Sequence, residues 1–401
     1  MKCRNCENEL TNVFLDLGYS PAANTFPTDL TKPEIWYPLK VWICEKCWLV
    51  QMDEHIPATE IFNEDYPYYS SHSENNVVRA KAYVEMMCER FNIGKWSNVL
   101  EIGSNDGYLL QWFNEKGAIT LGIDPARNAA KEARKRGVRT DVDFFSSYKA
   151  DDIFKCDLIC GSNVLAHQPN ISDFIEGLKI ALKPEGIITM EFPTLLNMLT
   201  GACQFDSIYQ EHFNYLSFFV VCEMFKKHGL EVFDVLHTPE QGGSIMIIAQ
   251  HEGGKHETTE SVSVELYHEL VGMQMNTLGA YQGMQKRVEK TKLDLLDFLI
   301  FHRLEKVAAY GGSCKCNTLF NYIGIKPDLV KFVVDRSPLK QGHYLPGSHI
   351  PIVDEEYLKR ERPDYVIITA WNLKDEIMKQ LQYTREWGCK FILTTPKLEV
   401  I

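Results

Sequence analysis

The sequence predicts an α/β protein of three domains, a small metal-stapled N-terminal unit followed by two α/β segments. Three observations predict it. Two Cys-x-x-Cys pairs lie within the first 47 residues. From about residue 98, apolar runs alternate with helical ones, the rhythm of a parallel sheet with helices on its faces. Past a polar stretch, the same alternation restarts near residue 307.

Each element has its own signal. Residues 1–75 are rich in Cys, Tyr, Trp and Pro and lack long periodic stretches. A helix is expected over about 76–91. Strands are expected at Val99–Gly103, Thr120–Asp124, Cys156–Gly161 and Gly186–Glu191, and helices near Leu109–Glu115, Ala126–Arg136 and Ser172–Leu182. Leu230–Thr238 and Gly243–Gln250 read as two strands closing that sheet. Residues 251–263 read as a linker, and Val264–Leu304 as one long helical region. Then come a strand at Val307–Tyr310, a loop GGSCKCNT, a helical Leu319–Ile323, and strands at Lys331–Asp335, Tyr365–Ala370 and Lys390–Leu393. The expected domains are therefore 1–75, 76–255 and 256–401.

Composition narrows the function. The formal net charge of −12 argues against a nucleic-acid partner, because phosphate backbones need a basic field. No run of 18 apolar residues is present, so no membrane span is expected. The MKCRNC start carries no apolar signal region. Twelve cysteines then read as thiols and metal ligands in a cytoplasmic protein. A monomer is expected, since a three-domain chain can bury its own surfaces.

Cys3 and Cys6 form one pair, Cys44 and Cys47 the other. Two such knuckles can place four thiolates tetrahedrally around zinc, and four protein ligands leave no open position, so the zinc is structural. The 37-residue spacer is longer than is usual for zinc ribbons. A redox role fits less well, because neither pair follows a βαβ strand.

The segment Val99–Gly107 reads VLEIGSNDG. A buried strand ends at Glu101 and turns through Gly103, Asn105 and Gly107 toward a helix, where glycine lets the backbone approach a ligand. Asp124 ends the next strand, 23 residues after Glu101, where an acid can accept from ribose hydroxyls. The loop lacks Gly-x-Gly-x-x-Gly, which counts against a nicotinamide cofactor. Its E-x-G-x-N-x-G pattern resembles class I methyltransferases, which implies S-adenosylmethionine as cofactor. Asp143 and Phe144 are candidates to hold adenine, and Asn163 to line the same cleft.

Tyr209, Glu211 and His212 fall within four residues, in IYQEHF. Histidine titrates near neutrality and is the usual general base. His167 follows the fourth strand on the cofactor side, and the aromatic stretch Tyr66–Ser71 can close over the site.

Taken in order, these pieces resemble the sugar 3-C-methyltransferases that act on nucleotide-linked deoxysugars. The likeness spans nearly the whole chain. It includes the cysteine quartet, Y-P-Y-x-S-S, E-I-G-x-N-D-G, Y-x-E-H-F, Y-G-G-S-C-K-C-N-T, D-R-S-P-x-K-Q, G-x-H-I-P-I and A-W-N. The resemblance implies a zinc-binding domain, a class I methyltransferase (Rossmann-like) domain and a C-terminal Rossmann-like domain that helps hold the nucleotide sugar. Carried over by position, it places Tyr209, Glu211, His212, Tyr68 and His167 in the active site, and makes Lys315 a diphosphate contact. Gly312 and Cys316 depart from the family's usual Y-G-A-x-x-K-[GS] loop, and Gln210 stands where an acid is common. The implied reaction methylates C3 of a nucleoside-diphosphate 4-keto-6-deoxy sugar through an enolate, with thymidine the default nucleotide and guanosine and cytidine open. O- or N-methylation of a small metabolite, and a non-catalytic nucleotide-sugar binder, are the competing readings.

Overall fold

The computed structural model describes residues 1–63, 66–201 and 203–401. The chain divides into two compact units, each drawn from three segments. The first comprises Met1–Leu10, Cys44–Thr194 and Phe213–Asn276, the second Thr11–Ile43, Leu195–His212 and Thr277–Ile401.

The first unit is built on a seven-stranded sheet in the order Leu230–Thr238, Ser244–His251, Leu182–Pro193, Cys156–Ser162, Asn98–Ile102, Ile119–Ile123, Thr140–Asp141. The last five strands in that order run parallel, and the two closing strands are antiparallel. Asn98–Ile102 sits where the strand order reverses, with later strands added on either side of it. In an open α/β sheet that reversal opens a crevice at the carboxyl ends of the strands, which is where ligands bind. The parallel strands read as near-continuous apolar runs because both faces are covered. Leu158, Val99 and Ile187 pack with Val84, Met87, Leu110 and Phe113 in one buried cluster.

The helix expected over 76–91 spans Glu74–Phe91. Ser73 caps it by accepting the Asn76 N–H, and Asn92 ends it at φ +55°. The other strands and helices expected before residue 250 occur within a few residues of their anticipated bounds.

The second unit carries a six-stranded sheet, in the order Ile352–Val353, Val333–Val334, Val307–Tyr310, Tyr365–Ile368, Lys390–Leu393, Glu399–Val400. All of it is parallel except the last pair. The hairpin Asn12–Pro21 with Trp36–Ile43 belongs to this unit as well.

Four expectations need correction. Residues 1–75 hold a long hairpin, whose register shifts blur the two-residue alternation that would have announced it. The linker is shorter than 251–263, because a helix begins at Glu260. The region Val264–Leu304 is not one helix. It breaks into Glu260–Tyr267, a π turn at His268–Gly272, a 3-10 turn at Leu278–Tyr281 and Met284–Phe301, with glycines 272, 279 and 283 at or beside the breaks. The GGSCKCNT segment is a loop only as far as Ser313. That residue accepts the Cys316 N–H and starts a helix over Cys314–Ile323.

Candidate active site

The four cysteines meet in the first unit. Their sulfurs all lie within 4.8 Å of one another, with Cys3–Cys47 at 3.4 Å and Cys6–Cys44 at 3.5 Å. Tetrahedral Zn–S bonds of about 2.3 Å require sulfur–sulfur edges of about 3.8 Å, so the quartet fits zinc and leaves no position for a substrate. Buried Gln51 donates to the Cys3 sulfur at 3.2 Å and accepts the Arg4 N–H at 3.0 Å, a support that orients a metal ligand.

The cofactor loop lies at the reversal point of the large sheet. Gly103 has φ +67°, and a Cβ there would fall 2.5 Å from the Val164 side chain. Gly107 has φ +78°, with Val138 and the Ala133 backbone within 3.2 Å of such an atom. Glu101 is buried, and its Oε2 has no hydrogen-bond partner. Burial pushes its carboxyl well above the usual range, and Asp124 and Asp106 add to the rise. Asp124 accepts the Asn105 and Ala126 N–H groups, each at 2.8 Å, yet burial still lifts it to about 6. Each oxygen keeps capacity for a second donor, so the acid that shapes the loop can also take ribose hydroxyls. Two buried acids short of charge compensation make a good receptor for a cation such as the methionine portion of S-adenosylmethionine.

Asn105, at φ +48°, does more than line the loop. Its Oδ1 accepts the Ser70 N–H at 2.8 Å, and its Nδ2 donates to the Tyr68 carbonyl at 3.1 Å. Asp106 accepts from the Ser71 hydroxyl and, at 3.3 Å, from Arg136. The Tyr66–Ser71 stretch is thereby tied to the cofactor loop, with the Tyr68 ring half exposed. Asn163, just past its strand, adopts φ +60°. It donates its N–H to the Glu191 carbonyl at 2.7 Å and buries an unpartnered Oδ1. His167 ends the turn Leu165–His167, edge-on to Phe62 at 5.5 Å. Asp143 is exposed and 3.5 Å from Lys149, and Phe144 follows it half-buried. Sequence reasoning missed the tethering by Asn105 and Asp106; the N-D dipeptide itself was the available signal.

Tyr209, Glu211, His212 and Lys315 all belong to the second unit. The His212 Nδ1 lies 2.7 Å from the Ser207 carbonyl, which only accepts, so Nδ1 carries a proton. Its Nε2 lies 2.9 Å from the Tyr209 hydroxyl, with the rings 4.1 Å apart. In the neutral ring Nε2 is therefore the basic atom, and the phenol donates to it. Buried Glu211 accepts from Asn24 at 2.5 Å. Gln210, where an acid was the family's common choice, instead donates to the Ser20 carbonyl at 3.0 Å.

Lys315 is not a solvated surface residue. It is 8% exposed, its ammonium lies 4.7 Å over the Trp371 ring, and it donates to Asn372 at 3.3 Å. Burial lowers its pKa, against the pull of Asp206 and Cys314. Asp206, which the sequence did not single out, is fully buried and lifted to about 6 by that burial. Trp371 and Asn372 lie in the A-W-N motif, which was a signal; Asp206 lies in no motif.

A doubly wound sheet with this acid-and-glycine loop at its reversal point defines an S-adenosylmethionine-dependent methyltransferase. Residues 3–62 match a zinc binding domain family, 79–235 a methyltransferase domain family, and 239–396 the C-methyltransferase C-terminal domain. The chain is 31% identical to the C-methyltransferase NovU of Streptomyces niveus, over all of this chain and 96% of that one. It belongs to that C-methyltransferase family and uses S-adenosylmethionine and a structural zinc ion. A ubiquinone biosynthesis O-methyltransferase of Actinobacillus pleuropneumoniae is 31% identical over only 22% of this chain and 43% of its own. Among solved structures, the magnesium protoporphyrin IX methyltransferase of Synechocystis with bound cofactor superposes with a TM-score of 0.38. It is 14% identical and covers 50% of this chain and all of its own.

Proposed function

We propose that the protein methylates C3 of a nucleoside-diphosphate-linked 4-keto-6-deoxy sugar through an enolate. The observation that carries this reading is the Tyr209–His212 pair, with Nδ1 fixed by the Ser207 carbonyl and Nε2 left basic. The C4 ketone acidifies the C3 proton, and His212 Nε2 takes it. Once protonated, Nε2 no longer accepts from Tyr209, whose hydroxyl turns to the enolate oxygen. His167 is a second candidate donor to that oxygen, Glu211 holds Asn24 beside the pair, and Tyr68 covers the substrate. S-adenosylmethionine, when bound, supplies an electrophilic methyl group, and Glu101, Gly103, Asn105, Gly107, Asp124, Asp143, Phe144 and Asn163 are its proposed contacts. Lys315 binds the diphosphate. The nucleotide is thymidine by preference, and the compartment is the cytoplasm.

The test is mass spectrometry of thymidine-, guanosine- and cytidine-linked keto sugars in deuterated water. Deuterium is expected to enter C3 without cofactor, and a methyl on carbon to appear with it. His212→Asn is expected to slow both by about 10²–10⁴-fold while cofactor affinity stays near normal. Methylation on oxygen or nitrogen with no exchange at C3 would replace this reading with O- or N-methyl transfer.

A further inference from the structure

A chain of contacts runs through the second unit from Lys315 to His212. The Lys315 ammonium rests on the Trp371 ring. The Trp371 indole N–H donates to Asp206 Oδ2 at 2.7 Å. Asp206 is the middle residue of the 3-10 turn Phe205–Ser207, and the next carbonyl in that turn, Ser207, receives the His212 Nδ1–H. Helix Cys314–Ile323 braces the same stretch, since its Thr318 hydroxyl donates to the Ile208 carbonyl at 2.8 Å. Asp206 is 1% exposed, its Oδ1 has no hydrogen-bond partner, and the indole N–H is the side-chain donor to its Oδ2. Backbone N–H groups of Asp206 and Ser207 and the charge of Lys315 also favour this carboxylate, so it ties its own turn to Trp371 and Lys315.

We infer that Asp206 is a positioning residue of the methyl-transfer reaction: by anchoring to Trp371 it fixes the Ser207 carbonyl that holds His212 in its Nδ1–H tautomer. The role rests on the reading of Tyr209 and His212 as the base pair. A one-atom shift of the carbonyl frees Nδ1 to lose its proton, and an Nε2–H ring has no lone pair facing Tyr209. Because Trp371 also carries Lys315, the turn links the cation proposed for the diphosphate to the group proposed for proton removal.

Three single variants and one double variant of the full chain test this. Trp371→Phe keeps a ring beneath Lys315 and deletes only the N–H. Asp206→Asn keeps an acceptor for that N–H, and Asp206→Ala removes it. Trp371→Phe and Asp206→Ala are each expected to cut kcat and cofactor-independent C3 exchange about tenfold, with KM for S-adenosylmethionine unchanged. Asp206→Asn should recover most of the rate, and the Asp206→Ala/Trp371→Phe double variant should be no slower than the slower single. Wild-type exchange in Trp371→Phe, equal losses in Asp206→Asn and Asp206→Ala, or losses that multiply in the double variant would each overturn the role. If the wild-type protein itself exchanges no C3 deuterium, the base-pair reading fails first and takes this role with it.

Discussion

Glu101 is a single side chain whose proposed cofactor role carries a cost in stability. The acid ends a buried strand, faces Asp124 and Asp106, and leaves one oxygen unpaired. Such a group destabilises the ligand-free fold and is compensated when a cation arrives. Glu101→Gln is therefore expected to raise the melting temperature of the ligand-free protein while lowering S-adenosylmethionine affinity about tenfold or more, read by calorimetric titration. A variant that binds normally would remove Glu101 from the cofactor site. At this scale the sequence was informative where a short pattern shapes local structure, as in the cysteine quartet, the glycine turn after Glu101 and the Tyr209–His212 hydrogen bond. It was silent on Asp206, because a lone acid in an irregular turn has no local pattern; its neighbours Trp371 and Lys315 come from more than 100 residues away. It also under-read Asn105, whose φ of +48° and two hydrogen bonds to the tyrosine segment exist only once the loop is folded.

Elements follow the same division. The strands and helices between residues 98 and 193 were legible because buried parallel strands are apolar throughout and alternate with helical runs. The stretch after Glu260 was not, since its apolar periodicity continues across glycines that break the backbone. One of those turns has a purpose. Glu269, in the π turn His268–Gly272, is buried and accepts the Phe218 and Phe219 N–H groups at 3.0 and 2.8 Å, capping helix Phe218–Lys227 from a distant segment. Burial nonetheless pushes Glu269 up to about 7. A carboxyl whose folded pKa exceeds its unfolded one binds more protons when folded. Its stabilising contribution is thus complete below about 4.5 and fades as pH rises toward 7, by on the order of 3 kcal/mol. Denaturant titrations of Glu269→Gln across that window are expected to lose this part of the pH slope. An unchanged slope would show that Glu269 titrates alike in the folded and unfolded chain.

Over the whole molecule, the metal matters because of how the chain is threaded. Cys3 and Cys6 lie in Met1–Leu10, and Cys44 and Cys47 open the next segment of the same unit, while the residues between belong to the other unit. Zinc closes the excursion at both ends. Its removal by a strong chelator, verified by metal analysis, is expected to lower the melting temperature sharply and to be reversed by added zinc. A metal-free protein with unchanged melting would make the quartet dispensable. Among the described residues no helix is long and apolar enough to cross a membrane. The two α/β sheets were legible from the rhythm of the sequence, but the interleaving of the two units was not, because no local signal records which distant segment a hairpin will join.

That interleaving sets a timetable for synthesis. A ribosome delivers Thr11–Ile43 and Leu195–His212 well before Thr277–Ile401, the segment with which they share a unit. The stretch bearing Tyr209 and His212 therefore leaves the exit tunnel without Trp371 or the Cys314–Ile323 helix to brace it, and waits for the last quarter of the message to be translated. A nascent chain halted near residue 276 holds every segment of the first unit, yet lacks Trp371 and the Cys314–Ile323 helix that contact the Phe205–Ile208 stretch.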